Sequence, residues 1–130
     1  MPRPTPPCSY RGVGDFSVDT TVTGADGVYR ARLSRDWEIW GPNGGYVAAV
    51  ALRAAGAATT LTRPATFACH FLNVADFDLV DLRVTTPRAA KRAASLSVSM
   101  TQNGRQILQA SVWVVADGSD GFVRDTAAAP

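Results

Sequence analysis

The sequence predicts an α+β domain in which an antiparallel β-sheet wraps around one central apolar α-helix. Three observations carry that prediction. Asn43-Gly44-Gly45 opens a run from Tyr46 to Ala55 in which Arg53 is the single charged residue. A helix that is apolar all round must be buried on nearly all sides, and in a chain of 130 residues a curved sheet is the simplest cover. Four strand-like segments follow the helix, with Asn103-Gly104 between the last two. An Asn-Gly pair between alternating runs predicts a type I′ hairpin.

The elements follow in chain order. Residues 1–14 are rich in Pro and Gly and read as a flexible N-terminal tail. Phe16 to Val22 reads as a short helix or turn. Asp26-Gly27 is a turn signal. Val28 to Leu33 alternates Tyr29, Ala31 and Leu33 with Arg30 and Arg32, the pattern of a strand with one wet face. Gly41 to Gly45 forms the loop into the helix. Asn43 is a favourable N-cap, because its side chain can accept a free N–H. The helix is expected to run to about Ala58, and Pro64 closes the connection.

Thr66 to Leu72 has apolar residues on both faces, which predicts a central strand. Leu79 to Thr85 and Ser95 to Thr101 alternate cleanly, as half-buried antiparallel strands do. The strand returning from Asn103-Gly104 turns Leu108, Ala110, Val112 and Val114 to one face and Gln109, Ser111, Trp113 and Val115 to the other. The expected order is strand, buried helix, then four strands as a meander. The domain is expected over 15–117, with 118–130 a C-terminal tail or the start of a linker.

Composition narrows the function classes. A net charge of +2 is too weak to argue for nucleic acid, and no apolar run reaches the length of a membrane span. The N-terminus lacks the apolar core of a signal peptide. Cys8 and Cys69, the two cysteines, form neither a disulfide framework nor a metal site, so a reduced, cytoplasmic protein is expected. No cofactor is called for.

The chemistry is concentrated at Asn43, Gly44 and Gly45. A helix start leaves N–H groups unpaired at a positive end, where a negatively charged oxygen can be held. The same glycines could instead serve only close packing of helix and sheet. An acid or base is harder to find. Asp36, Glu38, Asp76 and Asp78 read first as solvated loop charges, with Asp36 the candidate in an oligomer. His70, the one histidine, has no carboxylate at a convincing spacing. Ser95, Ser97 and Ser99 form a polar strand face without a nucleophile elbow. Trp40 could line an apolar tunnel. Arg88, Lys91 and Arg92 form the one dense basic group, read first as a solvated loop and otherwise as a contact for the phosphates of an anionic ligand.

The chain resembles the hotdog fold. It is more closely similar to the N-terminal half of the actinobacterial acyl-CoA thioesterase family related to thioesterase II. The segments that carry this are Phe16 to Val22, Tyr29 to Leu33 with Trp37, Gly41-Pro42-Asn43-Gly44-Gly45-Tyr46-Val47 running on to Ala54, Pro64 to Leu72, and Thr101 to Arg105. The resemblance implies an acyl-CoA or acyl-carrier thioester as substrate. Asn43, Gly44, Gly45 and Asp36 become the catalytic candidates, and Trp40, Tyr46, His70 and Arg92 the substrate-binding ones. It also implies a homodimer or higher oligomer, with the ligand groove between protomers.

Two departures accompany it. Family members usually carry two hotdog halves, whereas one is expected here, and the acid, hydroxyl and amide side chains of catalysis lie on the second half. Here the helix from Tyr46 to Ala58 holds no Asp or Glu, and Trp113 falls near the slot where that half would carry an amide. A non-catalytic acyl-binding or structural module is therefore the alternative.

Overall fold

The computed structural model describes residues 14–118. Cys8 and the expected tails, apart from Gly14 and Gly118, lie outside the described residues. The elements are α1 (Phe16–Asp19), β1 (Thr23–Ala25), β2 (Val28–Arg32), α2 (Gly44–Ala57), β3 (Arg63–Phe71), β4 (Leu79–Ala89), β5 (Ala93–Gln102) and β6 (Arg105–Val115). A 3-10 turn at Arg35–Trp37 precedes the loop into α2.

All six strands form one antiparallel sheet in the order β1-β2-β4-β5-β6-β3. The chain leaves β2, runs through α2, and lays β3 at the far edge. It then returns to place β4 beside β2. The meander is therefore β4-β5-β6, and β3 closes on β6 rather than pairing with β4. This corrects the expectation that β3 is central. Its mixed faces come from Phe67 and Cys69 packing inward and from an exposed end at Phe71 and Leu72.

Period-two patterning produces the sheet's inner face. Tyr29 and Ala31 on β2, followed by Leu33, join Val80, Leu82 and Val84 on β4. Leu96, Val98 and Met100 on β5 face Leu108, Ala110, Val112 and Val114 on β6, and all of these are buried. Each large side chain so covered contributes about 1.5–3 kcal/mol. Asn103 and Gly104 have φ of 51° and 77°, as the β5–β6 hairpin requires. Asp26 and Gly27, at 57° and 79°, make the same turn between β1 and β2.

Helix α2 lies on that inner face. Ala51, Ala54 and Ala55 are fully buried, so small side chains let the helix backbone approach the strands closely. Burial on all sides does not follow. Ala48, Ala49 and Leu52 are half-buried, while Gly45, Arg53, Gly56 and Ala57 are exposed. The sheet covers one flank of α2, and the other flank borders a groove of about 540 Å³.

The start of α2 is tied down from three directions. Phe16 meets Trp37 edge-on with ring centroids 5.1 Å apart, and Trp37 stacks on Tyr46 at 5.8 Å. Trp37 Nε1 donates to Asp19 Oδ2 at 3.0 Å. The buried Tyr46 hydroxyl donates to the Asp19 carbonyl at 2.8 Å and accepts from the Ser34 N–H at 2.9 Å. Short helix α1 and the 3-10 turn thus fix where the helix begins. Among the described residues, no helix is long and apolar enough to cross a membrane.

Candidate functional site

Asn43 caps α2 as its residue type predicts. Its Oδ1 accepts the Gly45 N–H at 2.9 Å and the Tyr46 N–H at 3.4 Å. Its carbonyl accepts the Val47 N–H at 3.0 Å. The Gly45 amide is therefore already engaged. In this first turn the Gly44 N–H is the one left without a partner among the described residues.

Gly44 lines a cleft of about 360 Å³. Ile39, Trp40 and Pro42 form one wall, from the loop into the helix. Val47 lies at its floor, with Ile107 from β6. Phe71, Leu72, Asn73, Val74 and Ala75 close the far side. The lining is apolar apart from Asn73, whose carboxamide donates to the Gln106 carbonyl and accepts from Arg105. Trp40 is 80% exposed, and Ile39, Phe71, Leu72 and Val74 are exposed beside it. These uncovered large apolar side chains gather around one cleft as a contiguous exposed apolar patch.

The other expected site residues fall elsewhere. Tyr46 is buried, and its hydroxyl is committed to Ser34 and Asp19, so its role is to anchor the helix rather than touch a ligand. Asp36 stands beside Asp19, where a Cβ on Gly14 would meet both carboxylates, and it is not part of the cleft wall. His70 is exposed on the outer face of edge strand β3, opposite Gln109. Arg92 sits in the turn before β5, where its carbonyl accepts the Ala116 N–H at 2.9 Å. The cleft lies at the Met100–Leu108–Phe71 end of the same strands, about 26 Å away at the rise of a strand.

Asp78 and Glu38 are ordinary surface partners. Asp78 pairs with Arg32 at 3.2 Å, and Glu38 with Arg35 at 3.6 Å. A groove of about 630 Å³ beside β2 carries Arg30, Arg32 and Arg35, but an acidic side chain already meets each guanidinium.

Among the cleft determinants missed in the sequence, two explain how the cleft is built. A bulge sets Thr101 opposite Gln106 and Met100 opposite Leu108. It leaves Ile107 unpaired in register and turned into the floor. The signal was the adjacent apolar pair Ile107-Leu108, which breaks the alternation of β6. Gln102 is the second. It is 5% exposed, and its carboxamide accepts from the Asp76 N–H at 2.7 Å and donates to the Asp76 and Leu79 carbonyls. It pins the loop that carries Val74 and Ala75.

A six-stranded antiparallel sheet holding one capped, alanine-rich helix defines a hotdog-fold protein. The family model of the acyl-CoA thioesterase N-terminal domain matches residues 33–115, and the chain belongs to that family. No curated protein matches the sequence. Among solved structures, a candidate thioesterase II from Thermobifida fusca superposes with a TM-score of 0.78 at 21% identity, over 92% of this chain and 45% of its own. A hot dog fold protein from Alicyclobacillus acidocaldarius gives 0.79 at 19% identity, over 88% and 44%. A thioesterase-type protein from Streptococcus pneumoniae, solved with coenzyme A, gives 0.63 at 15% identity, over 76% and 88%. The chain thus spans less than half the length of the first two.

Proposed function

We propose that this chain is the substrate-holding unit of an acyl-CoA thioesterase. The observation that carries the reading is the apolar cleft that reaches Gly44, the residue with an unpaired N–H at the start of a helix of 14 residues. An acyl chain fits the apolar walls, and the thioester carbonyl oxygen would meet the Gly44 amide. There the helix end stabilises the charge that develops as water adds to the carbonyl carbon. The C–S bond then breaks, and the thiol leaves with the proton taken from water. The coenzyme A seen in the Streptococcus pneumoniae relative is consistent with CoA as the carrier.

Water must be activated by a group that none of the cleft-lining side chains supplies, since they include no carboxylate, imidazole, hydroxyl or thiol. We therefore assign the base to a second hotdog unit, a further copy of this chain in a homodimer, docked over the exposed rim. Asp36 is retained as the acid such a copy would offer. We place the assembly in the cytoplasm, with 15–117 as its hotdog unit.

The same lining favours a second reading, an acyl-binding module without turnover. One experiment separates the two. Short- and long-chain acyl-CoAs are incubated with the full chain while free thiol release and thermal stability are followed, with size measured in parallel. Thiol release that is lost in Asp36→Asn supports the hydrolase. Stabilisation with no thiol release supports the binding module. A protein that does neither overturns both.

A further inference from the structure

Phe71 ends strand β3 on the inward-facing set with Phe67 and Cys69. Those two pack against the core, but Phe71 is 55% exposed because the strand runs out beside the start of α2. The tip of its ring reaches Gly44. A Cβ on Gly44 would lie 3.4 Å from Phe71 Cζ and 3.7 and 3.8 Å from the two Cε atoms. The cleft floor, Val47 and Ile107, is buried in the core. Phe71 is therefore the side chain whose bulk sets the width of the cleft next to the unpaired amide.

We propose that Phe71 is a specificity-determining residue that admits acyl groups unbranched at the carbon next to the carbonyl and rejects branched ones. The assignment rests on the reading that the thioester carbonyl sits at Gly44. That carbon would then lie under the ring tip, where a methyl branch needs the space the ring fills.

Overpacking or leaving out one methyl group in an apolar pocket changes selectivity by about tenfold or more. The test compares butyryl-CoA with isobutyryl-CoA in the full chain, in Phe71→Ala and in Phe71→Leu. Thiol release is measured alongside calorimetric binding of the non-hydrolysable ketone analogues, in which CH2 replaces the thioester sulfur and the carbonyl is kept. Exposure of the ring keeps both variants folded, and thermal unfolding checks this. The unmodified protein is expected to favour butyryl by about tenfold. Phe71→Ala should abolish the preference, and Phe71→Leu should fall between.

A preference unchanged in both variants overturns the role of Phe71 and leaves the thioesterase reading standing. A preference absent from the unmodified protein also overturns it. Ketone analogues that bind with the expected preference, and lose it in Phe71→Ala, support the role even without turnover, and then the hydrolytic reading fails instead. Absence of both binding and turnover overturns the two together.

Discussion

Asn43 Oδ1 lies 2.9 Å from the Gly45 nitrogen, and this one bond decides which amide of the helix start is free. The cap satisfies Gly45 and Tyr46 and leaves Gly44, the residue on the cleft wall. Asn43→Ala is expected to lower stability by about 1 kcal/mol, the usual cost of losing an N-cap. Asn43→Asp keeps the acceptor and should unfold near the original temperature. Thermal unfolding of both variants checks this, and an equal loss in the two would show that the cap oxygen is not what matters.

The fold was readable where a local requirement matched the tertiary outcome. Asn103-Gly104 names its turn because both residues need positive φ. The alternation of Ser95 to Thr101 names a half-buried strand because one sheet face is wet. Strand β1 was missed because Thr23-Gly24-Ala25 has no apolar alternation to read. The rank of β3 was misread for a different reason: apolar residues on both faces arise equally at a sheet centre and at an edge beside a cleft. At the cleft, Trp40 and Gly44 could be linked in the sequence because they lie in one contiguous loop, with the cap Asn43 between them. Phe71, Val74 and Ile107 come from three separate elements, and only the topology brings them to Gly44. Arg92 and His70 illustrate the reverse, since polar type alone does not say which end or face of a sheet a residue occupies.

Gln102 tests how the far wall is held. Its carboxamide replaces a strand pairing for the Asp76 backbone and reaches Leu79 as well. Gln102→Leu keeps the volume but leaves those buried groups unpaired, at a cost of about 2–3 kcal/mol. Acyl ligand affinity should fall further than stability alone explains, because Val74 and Ala75 ride on the released loop. Denaturant unfolding and calorimetric titration with an acyl-CoA thioether, run on the same preparation, measure the two effects. A destabilised variant with unchanged affinity would remove Gln102 from the cleft.

Alkaline pH should weaken the fold through two identified groups. Desolvation pushes the Cys69 thiol above its ordinary 9.0. It also pushes the Tyr46 phenol above its ordinary 10.0, against the opposing Ser34 hydrogen bond and with help from Asp19 and Asp36. Above the ordinary value the unfolded chain releases a proton that the folded chain keeps. The folded state then binds more protons, so stability falls as pH rises. Each contribution is complete below 9.0 or 10.0 respectively and is gone once pH passes the raised value. Unfolding temperature is expected to decline from about pH 9 upward. Cys69→Ala should flatten the first part of that decline relative to the unmodified protein, and Tyr46→Phe the later part.

Trp40 and Ala51 should separate binding from folding. Trp40→Ala removes a ring that is 80% exposed, so the unfolding temperature should stay within measurement error. Its loss from the cleft rim should still weaken acyl ligand binding, by several-fold in calorimetric titration. Ala51→Leu does the opposite. Ala51 is fully buried between helix and sheet, and the added bulk costs about 1–3 kcal/mol. A stable Ala51→Leu variant would mean that α2 is not pressed against the strands.

Two glycines with opposite surroundings give the sharpest contrast in sign. Gly24 has φ of 137°, and a Cβ there would overlap the Val28 carbonyl oxygen across the hairpin. Gly24→Ala is expected to destabilise by about 1–3 kcal/mol, since both the backbone conformation and the space are wrong for a side chain. Gly56 lies inside α2, at an exposed position with no atom within 4 Å of a built Cβ. There the substitution loses nothing in the folded state and narrows the unfolded ensemble, so Gly56→Ala should stabilise by about 0.5–1 kcal/mol. Denaturant midpoints at low protein concentration measure both changes. If Gly56→Ala is destabilising and its cost grows with concentration, the exposed flank of α2 is where a second copy docks, because only a partner would be pushed away by that methyl group.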